Sequence, residues 1–309
     1  MDKQNHHEYV QKAVKGKFRG RDTLPGKTKV RYPESAEREY RRLSKAYMVL
    51  MNKALRKLLP EMMALYKEHR DDDADVRLDS LNDIIMRERQ IIQKIREDLE
   101  RAIEEFGLDL KLERIARLTK NASLKEWRRA VRGTLGIDIT QDYYNGELYQ
   151  QALDRWVAEN ISKIKTMPGQ SLAELERIII EGYKHGKTIT TIQKEISGQY
   201  NMDKHKAQML ARDQLSTLNS QLTKMQQTDA GVKRYKWSSS KDSRVRDSHR
   251  MFDGKIFSWD DPPEGWYMTK GRGKVMTGRR CHPGEDYCCR CVAIPMFDYQ
   301  TIDLPVKEE

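Results

Sequence analysis

The stretch TDAGVKRYKWSSSKDSRVRDSHRMFDGKIFSW, residues 228–259, is where the chain changes character. Upstream of it, Ala207, Leu210, Ala211, Leu215, Leu218 and Leu222 recur at helical spacing, which predicts a long helix over residues 203–229. After Gly231 the pattern becomes strand-like, at Val232, Tyr235 and Trp237, then at Ile256, Phe257 and Trp259, and finally at Val292, Ile294 and Met296. Glycines and prolines gather between these runs, as turns require. The expected fold class is α+β: an N-terminal helical bundle followed by a small α+β C-terminal domain with short antiparallel strands, its sheet packed on the preceding helices.

Working back toward the start, residues from 35 onward carry a helical stripe at Leu43, Tyr47, Leu50, Ala54 and Leu58, which Pro60 is expected to kink or end. Leu81, Ile84, Ile85, Ile92, Ile95, Leu99, Ala102 and Phe106 form a second stripe that Gly107 is placed to stop. Residues 70–75 read as an acidic turn between the two. Further helices are expected over 112–132 and 141–165, the latter closing before Met167, Pro168 and Gly169. Ser171 and Glu174 have capping-box spacing for another helix that Gly186 would end, and a shorter one would follow from Thr190 or Thr191. Stripes of this kind are assigned to packing between helices rather than to partner grooves.

Residues 1–33 contain Lys3, Lys12, Lys15, Lys17, Arg19, Arg21, Lys27, Lys29 and Arg31 against three acids, with few apolar side chains. They read as a flexible basic arm, serving either to contact DNA phosphates or merely as a solvated tail. The domain reading is therefore an arm over 1–33, a helical domain over 34–170 and a C-terminal domain over 171–309. A chain of 309 residues has room for two modest cores. Its net charge of +11 and 34% charged residues, against a usual fraction of about 25%, fit a polyanionic partner. The longest apolar runs fall far short of the roughly 20 residues a bilayer needs, so no membrane partner is expected. The opening MDKQNHHEYV lacks an apolar signal core, and the cytoplasm is the expected place of synthesis.

All four cysteines, Cys281, Cys288, Cys289 and Cys291, sit in one short stretch, which points to a local site rather than a dispersed disulfide framework. Two apart on a strand, Cys289 and Cys291 project from the same side and are close enough to share one tetrahedral zinc ion. His249 and His282 are the candidates to complete that set, with Cys281 and Cys288 as substitutes; buried reduced thiols or a disulfide formed after the chain leaves the reducing cytoplasm are the rival readings. With four protein ligands the site would be closed and structural. If Asp242 caps a short helix, then Asp242, Arg246 and His249 fall on one face and form an ion pair beside the metal ligand. A Ser248/His249/Asp247 triad is set aside because adjacent helical residues do not face each other. The loop around TKGRGKVMTG lacks the context of a phosphate-binding motif, but its Lys270, Arg272, Lys274, Arg279 and Arg280 are placed to touch a nucleic-acid backbone.

Taken in order, ARDQLSTLNSQLTKMQQTDAGVKRYKW, DSRVRDSHRMFDGKIF and HPGEDYCCRC resemble the C-terminal domain of the Mu F-like head-morphogenesis proteins of tailed phages, over about residues 171–297. Ala211, Arg212, Trp237, Asp242, Arg244, Arg246, His249, Gly254, Phe257, Pro283, Gly284, Cys289, Arg290 and Cys291 occupy the family's places. Asp213 and Gln214 depart from its usual Thr-Glu, and Cys288 stands where Asn commonly precedes Cys-Arg-Cys. The resemblance implies a minor head protein, not an enzyme: present in few copies inside the phage head at the portal vertex, and acting in head assembly and DNA packaging or ejection. Its implied partners are the portal protein, other head proteins and packaged double-stranded DNA. The alternative is a metal-dependent nuclease or hydrolase carried in the head and using Asp242, Arg246, His249 and the Cys/His cluster, although no carboxylate constellation of the magnesium-binding kind is visible. A sequence-specific DNA regulator finds no helix-turn-helix or zinc-finger spacing to support it.

Overall fold

A computed structural model describes residues 3–68, 74–185, 187–271 and 273–306. In chain order it contains α1 (Lys3–Phe18), β1 (Thr23–Pro25), α2 (Glu34–Glu68), α3 (Ala74–Phe106) and α4 (Leu108–Leu135). A short 3-10 turn (Asp142–Asn145) leads to α5 (Glu147–Lys184) and α6 (Ile189–Asp229). There follow β2 (Arg234–Ser238), α7 (Asp247–Phe252), β3 (Ile256–Ser258), β4 (Glu264–Thr269), β5 (Gly273–Arg280) and β6 (Val292–Asp298). The fold class is α+β, with short antiparallel strands.

The helices are longer and fewer than local breakers predict. Pro60 lies inside α2, and Pro168, Gly169 and Ser171 lie inside α5, so the boundary expected at residue 170 falls within a helix. A mid-helix proline costs about 3 kcal/mol, which a long apolar stripe can offset. That stripe in α5 runs through Leu153, Trp156, Val157, Ile164, Leu175 and Ile178, all buried. Ser171 is therefore no N-cap; its hydroxyl donates to Asp203 Oδ2 at 2.9 Å. Likewise the two helices expected after residue 190 are one 41-residue helix, α6. Gly107, in contrast, stops α3 as expected, with φ +60°. Most of the acidic turn at 70–75 and the expected stop at Gly186 lie outside the described residues.

The chain divides into two compact units that interleave in sequence. One comprises residues 39–113 and 157–211 and is helical, with Tyr40, Leu43, Tyr47, Met48, Ile92, Ile95, Leu99, Ile164, Leu175 and Ile192 in its core. There Tyr47 meets Phe106 edge-on at 5.9 Å, and the Tyr40 hydroxyl donates to Asn160 Oδ1 at 2.5 Å.

The other unit comprises residues 1–38, 114–156 and 212–309 and holds every strand. Its main sheet has the order β1-β6-β2-β3, all antiparallel, while β4 and β5 form a separate hairpin. Alternation holds in β2, where Tyr235 and Trp237 are fully buried and Arg234 is exposed. It fails in β6, whose residues 292–297 are all buried, because a central strand is covered on both faces. Phe297 of β6 stacks on Trp127 of α4 at 5.8 Å.

Residues 1–33 are not a loose arm. Val10, Val14 and Phe18 repeat every four residues on α1 and are buried; Phe18 packs edge-on against Tyr299 at 5.2 Å. Gln11 donates to the Tyr299 carbonyl, and His6 Nε2 lies 2.9 Å from the Leu304 carbonyl. β1 then pairs with β6 from Thr23↔Asp298 to Pro25↔Met296. Three well-spaced apolar side chains suffice to dock an otherwise polar helix. Where α6 gives way to β2, Gly231 adopts φ +72°, and a Cβ there would collide with the Thr301 carbonyl oxygen.

Candidate functional site

The C-terminal half of α6 presents polar side chains at intervals of three, four and seven, positions that share one helical face. Asp213, Ser216, Ser220, Lys224 and Gln227 all reach residues 282–293. Asp213 Oδ1 accepts the Cys288 backbone N–H at 2.9 Å, and Ser216 donates to the Gly284 carbonyl at 2.9 Å and lies against that of Cys289. Ser220 donates to the Pro283 carbonyl at 2.7 Å and Gln227 to that of Ala293 at 3.1 Å. A loop packed this closely has little room: a Cβ at Gly284, whose φ is +93°, would come within 3.2 Å of Ser216 O and 3.1 Å of Ser220 Cβ. Cys288 itself holds φ +53°, unusual for a residue with a Cβ. Asp213 and Cys288 are two of the positions where the sequence departs from the Mu F-like pattern, and they bond to each other.

This support fixes Cys289 and Cys291 beside α7. His249 Nδ1 lies 3.5 Å from Cys289 Sγ and 3.7 Å from Cys291 Sγ, and all three residues are at most 3% exposed. Around them pack Tyr235, Trp237, Phe252, Trp259 and Ala293. The other ring nitrogen, Nε2, is buried and makes no hydrogen bond among the described residues, although Asp286 Oδ2 faces it at 3.5 Å. Arg246 Nε holds the same Asp286 oxygen at 3.3 Å. Cys281 forms a second close group with His249 and Asp286.

Cys289 and Cys291 lie in the loop just before β6, not on the strand expected from their spacing, and their thiols differ. Cys291 donates to Cys289, which, with His249, holds the Cys289 thiol well below its ordinary range against the effect of burial. The same bond, with burial, pushes Cys291 up. Burial foremost, then Asp286, pushes Cys281 up to about 12, and burial with Asp213 pushes Cys288 up to about 11. Two neighbouring thiols beside an imidazole are donors that suit a soft cation.

Of the four residues expected to bind zinc, the structure brings three together. His282 is elsewhere: its Nδ1 lies 3.0 Å from the Tyr235 hydroxyl, its Nε2 3.4 Å from Lys224 Nζ, and its ring 4.8 Å from Trp259. Burial lowers its pKa. The expected helical face of Asp242, Arg246 and His249 does not form either, because α7 begins only at Asp247 and Asp242 sits in a bend before it. Asp242 pairs with Arg244 at 3.3 Å and with Arg290, while Arg246 pairs with Asp286 and donates to the Tyr287 carbonyl.

Asp286 and the α6 polar stripe were not singled out from sequence. Serines at 216 and 220 interrupting an apolar face were the available signal. Lys12, Lys15, Lys17, Arg19 and Arg21 are exposed on and just after α1, and Lys270 and Lys274 on the β4–β5 hairpin. Lys274 Nζ stands 4.9 Å over the Trp266 ring. Arg272 lies outside the described residues.

Residues 173–294, which contain this whole assembly, match the family model described as Phage Mu protein F like protein. An uncharacterized protein of Haemophilus influenzae is 32% identical over 163 residues, covering 53% of the chain. The chain spans 33% of that relative's length. No solved structure matches.

Proposed function

We propose that the protein is a minor component of the phage head, held inside the head at the portal vertex, where it acts in head assembly and in DNA packaging or ejection. The observation that carries this reading is the match of residues 173–294 to the Mu F-like family. The role is structural: His249, Cys289 and Cys291 are buried among aromatic rings, and Asp213, Ser216 and Ser220 of α6 hold the loop that carries the two thiols. Contacts to the portal protein and other head proteins position the chain. Non-specific contacts to packaged DNA come from the exposed lysines and arginines of α1 and the β4–β5 hairpin, in keeping with a net charge of +11. The decisive experiment compares incorporation of this protein into proheads assembled with and without portal. Loss of incorporation without portal is expected; undiminished incorporation refutes the portal contact.

A further inference from the structure

The geometry points to a zinc-type metal site formed by His249 Nδ1, Cys289 Sγ and Cys291 Sγ, with Asp286 as the residue that orients the histidine through Nε2. The proposal stands independently of the head-assembly role.

Distance is the first argument. With metal–sulfur bonds of about 2.3 Å and metal–nitrogen bonds of about 2.0–2.1 Å, the sulfur-to-nitrogen edge of a tetrahedral site is roughly 3.6 Å. The observed edges are 3.5 and 3.7 Å, so a zinc ion fits between the three donors without moving their backbone. All three donor atoms lie within 4.8 Å of one another.

The second argument is the histidine's other side. A ligating imidazole usually sets its remaining N–H against a carboxylate, which selects the tautomer and the ring orientation. Asp286 Oδ2 lies 3.5 Å from Nε2, and Arg246 fixes that oxygen from the far side. Binding a metal at Nδ1 places the proton on Nε2, turning a buried nitrogen that lacks a partner into a donor to Asp286. Donor chemistry is the third. Two thiolates and an imidazole favour zinc over the hard cations magnesium and calcium, which take oxygen ligands. Cys281 groups separately, with His249 and Asp286, so three protein donors define the site.

The site has a mechanical meaning. It ties α7 to the start of β6, two elements separated by the exposed β4–β5 hairpin, and so closes a loop of some forty residues between His249 and Cys289.

The test uses the full chain, reconstituted with zinc under reducing conditions, desalted, and assayed for metal by elemental analysis. About one zinc per chain is expected. Cobalt(II) in its place should give tetrahedral visible bands and a thiolate charge-transfer intensity corresponding to two sulfurs. His249→Gln and Cys289→Ser should each weaken binding at least about tenfold, and Asp286→Asn by roughly 10–100-fold with the thermal stability of the metal-free form unchanged. His282→Gln and Cys288→Ser should bind as the parent does. If a ligand variant fails to fold, the parent protein still decides: chelation should lower its melting temperature and added zinc restore it. Less than about a tenth of an ion per chain, a cobalt spectrum with one sulfur or none, full binding by His249→Gln, or a Cys289–Cys291 disulfide in the reduced preparation each overturns the assignment.

Discussion

Glu88 shows how much a single side chain can govern. It lies on α3 at 2% exposure, and neither carboxylate oxygen has a hydrogen-bond partner within 3.5 Å by geometry. Burial, reinforced by Glu176, pushes its carboxyl up to about 8. A group whose folded pKa is raised contributes stability that is fully present below its unfolded pKa, here 4.5, and is lost as pH rises through the folded value. Between pH 4.5 and 8 the parent should lose unfolding free energy relative to Glu88→Gln by up to about 1.4 kcal/mol per pH unit. Urea titrations of both proteins at four pH values measure this; parallel pH profiles would refute it. At this scale sequence reading was uneven. His249, Cys289 and Cys291 were legible as a group from their residue types, but the reason expected was wrong: the two thiols lie in the loop before β6, not on a strand, and the loop itself brings both sulfurs to His249. His282 misled because it directly follows Cys281, yet its ring already has Tyr235 and Lys224. Asp286 was hidden because a carboxylate in a Gly-Glu-Asp turn looks solvated until the fold sets it against His249.

Among the elements, α1 is where composition misled most. Its mean character is polar and basic, but Val10, Val14 and Phe18 bury one narrow face against partners near the far end of the chain, a pairing no local window can reveal. Phe18→Ala should cost about 3–5 kcal/mol, the usual range for deleting a buried aromatic ring. Chemical denaturation of the full chain tests this; an unchanged midpoint would restore the reading of a free arm. The long helices were legible in kind and misjudged in extent. Pro60 and Pro168 are local signals, whereas the apolar stripes that carry the helices past them act over the whole element.

For the molecule as a whole, charge is the readable quantity and placement is what the fold adds. Lys12, Lys15 and Lys17 of α1 are exposed outside its buried stripe, and Lys270 and Lys274 are exposed on the β4–β5 hairpin. If both meet phosphates, double-stranded DNA affinity should fall steeply with salt. Lys12, Lys15 and Lys17 changed together to alanine should reduce the slope of log affinity against log salt by about one for each phosphate no longer neutralised, whatever the DNA sequence. Fluorescence anisotropy on two unrelated duplexes measures it, and a slope equal to the parent's would exclude α1 from DNA binding.

The pairing of Thr23 with Asp298 and of Pro25 with Met296 makes neighbours of two strands that lie about 270 residues apart in the polypeptide. As the chain leaves the ribosome, β1 emerges first and has no neighbour to bond until β6, about 270 residues later, has been made. Closure of the strand-bearing unit is thus a late event in its own synthesis, and a product truncated shortly before residue 292 would release its first strand with nothing to receive it.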